Sequence, residues 1–283
     1  MGPRIEATLK RDTFGAVERV VARDVDGADV RLIRRVVAPP PRWAWTGLGW
    51  VALLLARREA RALGHLAAQD VGGIARAPRL DDETTRAVAE LPSASGLPVQ
   101  RGRVFVRPFA DGAPLHRAER LPRDFFDLLV AAVEELHAAG VCHNDLHKEQ
   151  NVVVGRDGRP VLIDFQLATL HPKRRGRWFE ARCRDDLRHV QKHRRRYTRL
   201  GRGPAELRVP ESERMPRRGI PLVWMKTGKP VYKFVTRRLL GTRDGEEHRP
   251  SSGPWPEWVG PVGEPETRPP ADGRAGAPSV PDR

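Results

Sequence analysis

The chain has 283 residues, enough for one two-lobed domain or two small domains with a hydrophobic core. Its content of aliphatic and aromatic residues excludes a wholly disordered chain. The formal net charge of +15 favours anionic partners such as nucleic acid, phosphosugars or a membrane surface. Arg supplies most of this charge, a bias that a GC-rich genome also produces without selection for binding.

The two cysteines, Cys142 and Cys183, indicate a reducing compartment, because they are too few for a disulfide framework. Neither belongs to a C-x-x-C pair or to a Cys/His cluster along the sequence, so the sequence predicts no zinc site. The segment from Met1 to Lys10 is polar and charged. We therefore expect no secretory signal and a cytoplasmic location.

The first elements are strands. Residues 5–37 alternate apolar and polar positions in short runs broken by turn-forming pairs, which predicts an antiparallel sheet. Residues 14–17, Phe-Gly-Ala-Val, are typical of a hairpin turn. The strand over residues 30–36 carries Arg34 and Arg35, which alternation puts on opposite faces.

A tryptophan-rich stretch, Trp43 to Ala56, follows and is strongly apolar, but it is shorter than the ~20 residues that span a bilayer. We interpret it as the start of a buried helix that continues through residues 57–63. The alternative is a monotopic contact, with Trp and Arg at the lipid headgroups. Residues 71–89 predict loop and strand, and residues 104–109 predict a further strand.

The C-terminal half is predicted to be mainly helical. Residues 122–139 form an amphipathic pattern that Gly140 ends as a C-cap. Residues 185–196 are a basic helical segment, which we interpret as a solvated face, with phosphate binding as the alternative. Residues 220–240 predict the last helix. From residue 244 onward Pro, Gly, Glu and Arg dominate without periodicity, which predicts a disordered tail.

The most informative stretch runs from His143 to Phe165, HNDLHKEQNVVVGRDGRPVLIDF. A polar loop is followed by an apolar run, an Asp-Gly turn and a returning run, which predicts a loop and a hairpin with a carboxylate at its far end. Phosphoryl transfer needs a base near the attacking hydroxyl and oxygen ligands for Mg²⁺. Asp145, Asn151 and Asp164 are groups of these kinds.

This stretch resembles the catalytic loop of the protein-kinase-like superfamily, which runs H-x-D, then Asn, then a strand pair and D-F-G. It is most similar to RIO-like bacterial kinases and to lipopolysaccharide-core (Kdo/heptose) kinases, where D-F-G is often relaxed. Here the motif is D-F-Q, with Gln166. Gln150 holds the usual place of the Asn and Asn151 comes one residue later. The segment after Asp164 lacks a long activation segment and A-P-E, as in those branches.

The resemblance implies a two-lobed α+β fold. An antiparallel-sheet N-lobe would cover residues 1–110, a mainly helical C-lobe residues 111–243, and a tail residues 244–283. It also implies ATP and Mg²⁺ as cofactors, with Asn151 and Asp164 as metal ligands and Gln150 as the alternative to Asn151.

The resemblance implies a nucleotide site as well. Its residues would be Phe14, Gly15, Val17, Arg34, Arg35, Glu59, Arg107 and Phe109. The turn that includes Gly15 lacks the first two glycines of a glycine-rich loop. The third strand offers no lysine, so Arg34 or Arg35 would bind the α- and β-phosphates, paired with Glu59. The backbone near Arg107 would meet adenine.

In the catalytic loop, Asp145 would orient and deprotonate the acceptor hydroxyl, and Lys148 would neutralise the transferred phosphoryl group. His143 is the third residue implied there, as a brace for the loop. Asp186, expected to begin the basic helix, would hold the loop backbone.

The predicted function is therefore an ATP- and Mg²⁺-dependent serine/threonine kinase of RIO-like type, with a hydroxyl on a protein or a sugar as acceptor. One alternative is a kinase of lipopolysaccharide-core sugar in peripheral contact with the inner membrane face. The other is a pseudokinase that binds RNA or membrane, suggested by the missing glycines and lysine. The retained metal-binding groups argue against it, so nucleic acid is not the favoured partner.

Overall fold

A computed structural model describes residues 2–12, 15–38, 48–118, 120–198 and 257–259. This part of the chain is a mixed α/β structure with a four-stranded antiparallel sheet and four α-helices. The helix predicted for residues 220–240 lies outside the described residues, as does most of the predicted tail.

The sheet consists of β1 (Arg4–Asp12), β2 (Gly15–Arg23), β3 (Asp29–Val37) and β4 (Val104–Pro108), in that order and antiparallel throughout. The alternation over residues 5–37 therefore predicted β1, β2 and β3 correctly, and the strand predicted over residues 104–109 is β4. The β2–β3 turn is closed by Asp24, whose Oδ1 accepts the backbone N–H groups of Asp26 at 3.0 Å and Ala28 at 2.9 Å.

The two faces of the sheet are covered by different helices. On one face, α1 (Leu48–Ala67) packs Leu53 and its neighbours against Val37 of β3. On the other, α2 (Asp82–Glu90) packs Val88 against Val20 and Leu32. Both faces carry apolar side chains because alternate side chains of one strand point to opposite sides.

The prediction of loop and strand over residues 71–89 is wrong where α2 forms. The signal for a helix start was present, since the Asp81 side chain accepts the Thr84 N–H at 2.6 Å as an N-cap. Asp82 and Glu83 then fill the first turn, where acidic groups stabilise the helix dipole.

The amphipathic helix is confirmed as α3 (Phe125–Ala138), and Gly140 follows it with a φ of +77°. The hairpin predicted after the polar loop is confirmed as well, with Gly158 at a φ of +77° in its turn. The remaining elements are β5 (Gly112–Pro114), β6 (Arg120–Pro122), β7 (Val141–Cys142), β8 (Val152–Gly155), β9 (Pro160–Leu162), β10 (Thr169–Leu170), α4 (Arg177–Thr198) and β11 (Glu257–Val259).

Strand β11 lies in the segment predicted to be disordered, and it pairs in parallel with β6. That prediction is wrong for these three residues, because main-chain pairing needs no hydrophobic periodicity.

The main core surrounds α3. Leu129, Val133 and Leu136 of this helix are fully buried against Leu66 of α1 and Val190 of α4, among others. No helix among the described residues is long and apolar enough to cross a bilayer.

Candidate functional site

A pocket of about 1280 Å³ opens between the sheet and residues 143–151, the loop that resembles a kinase catalytic loop. Val17, Arg35, Glu59, Asn151 and Asp164 all line it. Ligand pockets usually measure roughly 300–1,000 Å³, so this volume suffices for a nucleotide with space beside it.

Helix α4 supports the loop of residues 143–151. Asp186 is 1% exposed, and its carboxylate accepts the backbone N–H groups of His143 at 2.8 Å and Asn144 at 2.9 Å. This is the bracing contact expected of Asp186, although the residue lies within α4 and does not begin it. The His143 ring is fully buried, packs on Phe165 and has Nε2 3.0 Å from the Ile163 carbonyl oxygen.

Asp145 is surrounded by polar partners. Its Oδ2 lies 2.9 Å from the Lys148 Nζ and accepts the Asn151 side-chain N–H at 2.9 Å, while Oδ1 lies 3.1 Å from His147 Nδ1. Burial alone would raise the pKa of Asp145, but the hydrogen bonds and charges of His147 and Lys148 outweigh it and hold that pKa below its usual value. The carboxylate is therefore ionised at neutral pH.

Asp145 is shielded from the pocket, and two of its partners are more exposed than it is. Asp145 is 2% exposed and does not itself line the pocket. His147 does line it, and the side chains of His147 and Lys148 are 47% and 34% exposed. Two of the contacts that hold the Asp145 carboxylate thus come from side chains that solvent reaches.

Asn151 and Asp164 fit a magnesium ion by their chemistry. Both line the pocket, and carboxylate and amide oxygens are the ligands that Mg²⁺ takes from proteins. Asp164 adopts a left-handed backbone with a φ of +65°, and its buried Oδ1 has no hydrogen-bond partner among the described residues. A buried carboxylate oxygen without a partner is costly unless a cation or donor binds it. Gln150 lines the pocket too.

The two candidate arginines of β3 lie on opposite faces, as alternation predicted. Arg35 lines the pocket, and its Nη1 lies 3.8 Å from the Glu59 Oε2. Arg34 is fully buried on the α2 side, where Nη1 lies 3.7 Å from Glu18 Oε2 and Nη2 donates to the Leu91 carbonyl. Arg34 therefore anchors α2 to the sheet and does not reach the pocket.

Glu59 contacts a second cation that the sequence did not associate with it. The Nε of Arg107, opposite Ile33 in the β3–β4 pair, lies 3.4 Å from Glu59 Oε1. Burial raises the pKa of Glu59; Arg107 and Arg35 oppose the shift and the Asp164 carboxylate adds to it. The resemblance implied a role for the backbone near Arg107 and did not reveal this contact of its side chain.

The other implied nucleotide-site residues differ in position. Gly15 and Val17 line the pocket, with Gly15 at a φ of +155° beside the backbone of Val36. Phe109 does not line it, because it lies beyond the end of β4 with the Arg19 guanidinium 5.6 Å from its ring centroid. Phe14 lies outside the described residues.

The interpretation of the basic helix as a solvated face is wrong for several residues of α4. His193 is buried with Nε2 2.7 Å from the Leu146 carbonyl oxygen, and Arg188 is buried as well. Lys192 and Arg196 line the pocket. These side chains turn inward because α4 packs directly beneath the loop, which helical periodicity in a basic sequence could not reveal.

Sequence reasoning also missed Asn144. It has a φ of +64°, its side-chain N–H groups donate to the Cys142 and Leu167 carbonyls, and its Oδ1 accepts Arg182 Nη1 at 2.9 Å. Asn tolerates the left-handed conformation better than most residues, so its position directly before Asp145 was a usable signal.

Comparison with known proteins gives a limited result. No protein-family model matches the chain. A 57-residue segment is 40% identical to the CBL-interacting serine/threonine-protein kinase 15 of Arabidopsis thaliana. That segment is 20% of this chain and 13% of the plant kinase. The similarity indicates kinase-like relatedness and is too short to assign a family.

Proposed function

We propose that this protein is an ATP- and Mg²⁺-dependent phosphotransferase with a two-lobed protein-kinase-like fold, a serine/threonine kinase of RIO-like type. The observation that supports this most is the meeting of Asn151, Asp164 and the Arg35–Glu59 pair in one pocket, next to Asp145. The local similarity to a serine/threonine kinase agrees with it.

Each group would have one task. Arg35, oriented by Glu59, would bind the α- and β-phosphates of ATP through its planar guanidinium. Asn151 and Asp164 would hold Mg²⁺, which neutralises charge on the phosphate oxygens during transfer. Gly15 and Val17 would cover the nucleotide from the sheet.

At the acceptor side, Asp145 would accept the proton of the attacking hydroxyl, its lowered pKa keeping it available as an acceptor. Lys148 would leave the Asp145 carboxylate as the acceptor arrives and turn to the transferred phosphoryl group. Catalysis in this scheme is mainly positioning and charge stabilisation, as phosphoryl transfer requires.

The test is ATP binding by isothermal titration calorimetry with and without Mg²⁺. Asp164→Asn removes one negative oxygen from the metal site, so we expect Mg²⁺-dependent affinity to fall about tenfold or more, equivalent to ~1.4 kcal/mol. The matched control is Asp26→Asn in the exposed β2–β3 turn, which should bind like the parent protein. Asp145→Asn should bind ATP normally and lose phosphotransfer to an added protein or sugar acceptor.

Two results would redirect the assignment. ATP binding that Asp164→Asn leaves unchanged contradicts the proposed metal site. Absence of ATP binding in the parent protein favours the pseudokinase alternative, which salt-dependent RNA binding would then support.

A specific surface favours a second candidate, phosphorylation of a lipopolysaccharide-core sugar or another membrane-bound hydroxyl compound. Trp50 and Leu54 of α1 are each 60% exposed, and Arg57 and Arg61 lie on the same helix face. Apolar side chains beside Arg suit the headgroup region of an anionic membrane. The parent protein should float with anionic vesicles, and the Trp50→Ser/Leu54→Ser variant should not. If neither protein floats, the exposed surface of α1 no longer supports this second candidate.

A further inference from the structure

A cluster of metal-ligating side chains lies behind the catalytic loop, outside the pocket. His137, Cys142 and Cys183 offer ligand atoms that all lie within 4.8 Å of one another. None of the three lines the pocket. No Cys/His cluster is visible along the sequence, because the three residues are brought together only by tertiary packing.

Three separate elements build the cluster. His137 is in the last turn of α3, Cys142 ends β7, and Cys183 faces them from α4. Cys142 is fully buried and the His137 side chain is 10% exposed, while Cys183 is partly accessible. A metal ion would therefore meet a preformed, shielded site with one accessible side.

The spacing matches tetrahedral zinc. The two Sγ atoms are 3.7 Å apart. With a Zn–S bond of about 2.3 Å, the S–S edge of a tetrahedron is about 3.8 Å. Two thiols in van der Waals contact would lie at a similar distance, so the imidazole is the second observation: its ligand nitrogen lies within 4.8 Å of both sulfurs.

The donor types select the metal. One imidazole nitrogen and two sulfurs suit Zn²⁺ and not the oxygen-seeking Mg²⁺ proposed for the pocket. We infer that His137, Cys142 and Cys183 form a Zn²⁺ site, with water in the fourth position.

The position of this site connects it to the catalytic loop. Cys142 directly precedes His143, and Cys183 lies one helical turn before Asp186, which accepts the loop amides. His137 Nε2 is also 3.3 Å from Asp186 Oδ2. Bound zinc would join α3, β7 and α4 under the loop. The site stands independently of the proposed phosphotransfer.

The experiment uses the full-length chain, purified under reducing conditions and freed of metal with a chelator. Co²⁺ titration should give thiolate-to-metal charge-transfer absorption and the visible bands of tetrahedral cobalt, at one ion per chain, and Zn²⁺ should displace them. Cys142 and Cys183 are the chain's two cysteines, so a thiolate signal can come from nowhere else. Zinc at roughly 100 times its Kd should also raise the melting temperature by about 5 °C.

Variants make the result specific. Cys142→Ser and Cys183→Ser should each weaken the charge-transfer band, and the double variant should abolish it. His137→Gln should weaken cobalt binding about tenfold or more. The matched control is His171→Gln, since His171 packs on the same Phe179 ring as His137 but offers no ligand to the cluster.

Three outcomes would overturn the site. The first is that the parent protein shows no thiolate band although both thiols are free. The second is that the double serine variant keeps an unchanged band. The third is that the His137 and His171 variants bind cobalt with equal affinity. Circular dichroism of each variant checks that it is folded, so that a lost signal reports on the ligand.

Discussion

Replacing Asp186 should destabilise the protein far more than replacing a carboxylate that accepts the same number of backbone N–H groups in an exposed turn. Asp186→Ala removes the acceptor of two backbone N–H groups, those of buried His143 and of Asn144, at 2.8 and 2.9 Å. A hydrogen bond to a charged group contributes about 1.5–3 kcal/mol, and a buried N–H left without a partner keeps its desolvation cost. The expected loss is therefore about 3–6 kcal/mol, with about half of it in Asp186→Asn, which keeps one acceptor oxygen.

The assay is equilibrium urea unfolding followed by circular dichroism, with the free energy of unfolding taken from the midpoint and the slope. The matched control is Asp24→Ala, because Asp24 also accepts two backbone N–H groups but does so in an exposed turn where water can replace it. That variant should lose only about 1 kcal/mol. Equal losses in Asp24→Ala and Asp186→Ala would refute the reasoning that burial of the loop amides makes Asp186 important.

Two further predictions concern the pocket and the pH dependence of stability. Arg35→Met should weaken ATP binding about 10- to 100-fold in calorimetry, since one charge-assisted contact of about 1.5–3 kcal/mol is lost. The control is Arg23→Met, because Arg23 is an exposed arginine on β2. Equal ATP affinities of the two variants would exclude Arg35 as a phosphate ligand. Burial, reinforced by nearby positive groups, lowers the pKa of His189 from 6.5 to about 3. These groups are Arg188, His147, His193 and Lys192. The ring therefore stays neutral in the folded state, while the unfolded chain takes up a proton on it below pH 6.5. Stability is lost as the pH falls from 6.5 towards 3, by up to about 2 kcal/mol at pH 5. In urea unfolding, His189→Gln should lose correspondingly less stability between pH 7 and 5, and an unchanged pH slope would show that other groups dominate.

Local patterns in the sequence were enough for several elements. The alternation that separates Arg34 from Arg35 follows from backbone geometry, so the opposite faces could be predicted without knowing what covers them. Helix α3 could be predicted for the same reason, because its apolar stripe and the Gly140 that follows it are local features of the sequence. The turn at Gly158 needs a positive φ, which glycine adopts readily.

Tertiary structure alone decided which arginine reaches the pocket. Arg35 meets Glu59 because α1 packs on its face, and Arg34 meets Glu18 because α2 covers the other. Alternation offers two equivalent faces, and the choice between them depends on helices that are distant in sequence.

Tertiary structure likewise decided the clusters around α4. Asp186 lies 43 residues from His143, to which it is hydrogen-bonded, and Cys183 lies 41 residues from Cys142. Asp186 and Cys183 sit in a basic helix whose spacing along the chain does not reveal how close they lie to His143 and Cys142. The sequence by itself determined the loop, its hairpin and the residue types in them. The packing of α3 and α4 beneath β7 decided what supports that loop, because contacts between distant segments depend on how whole elements pack and not on local periodicity.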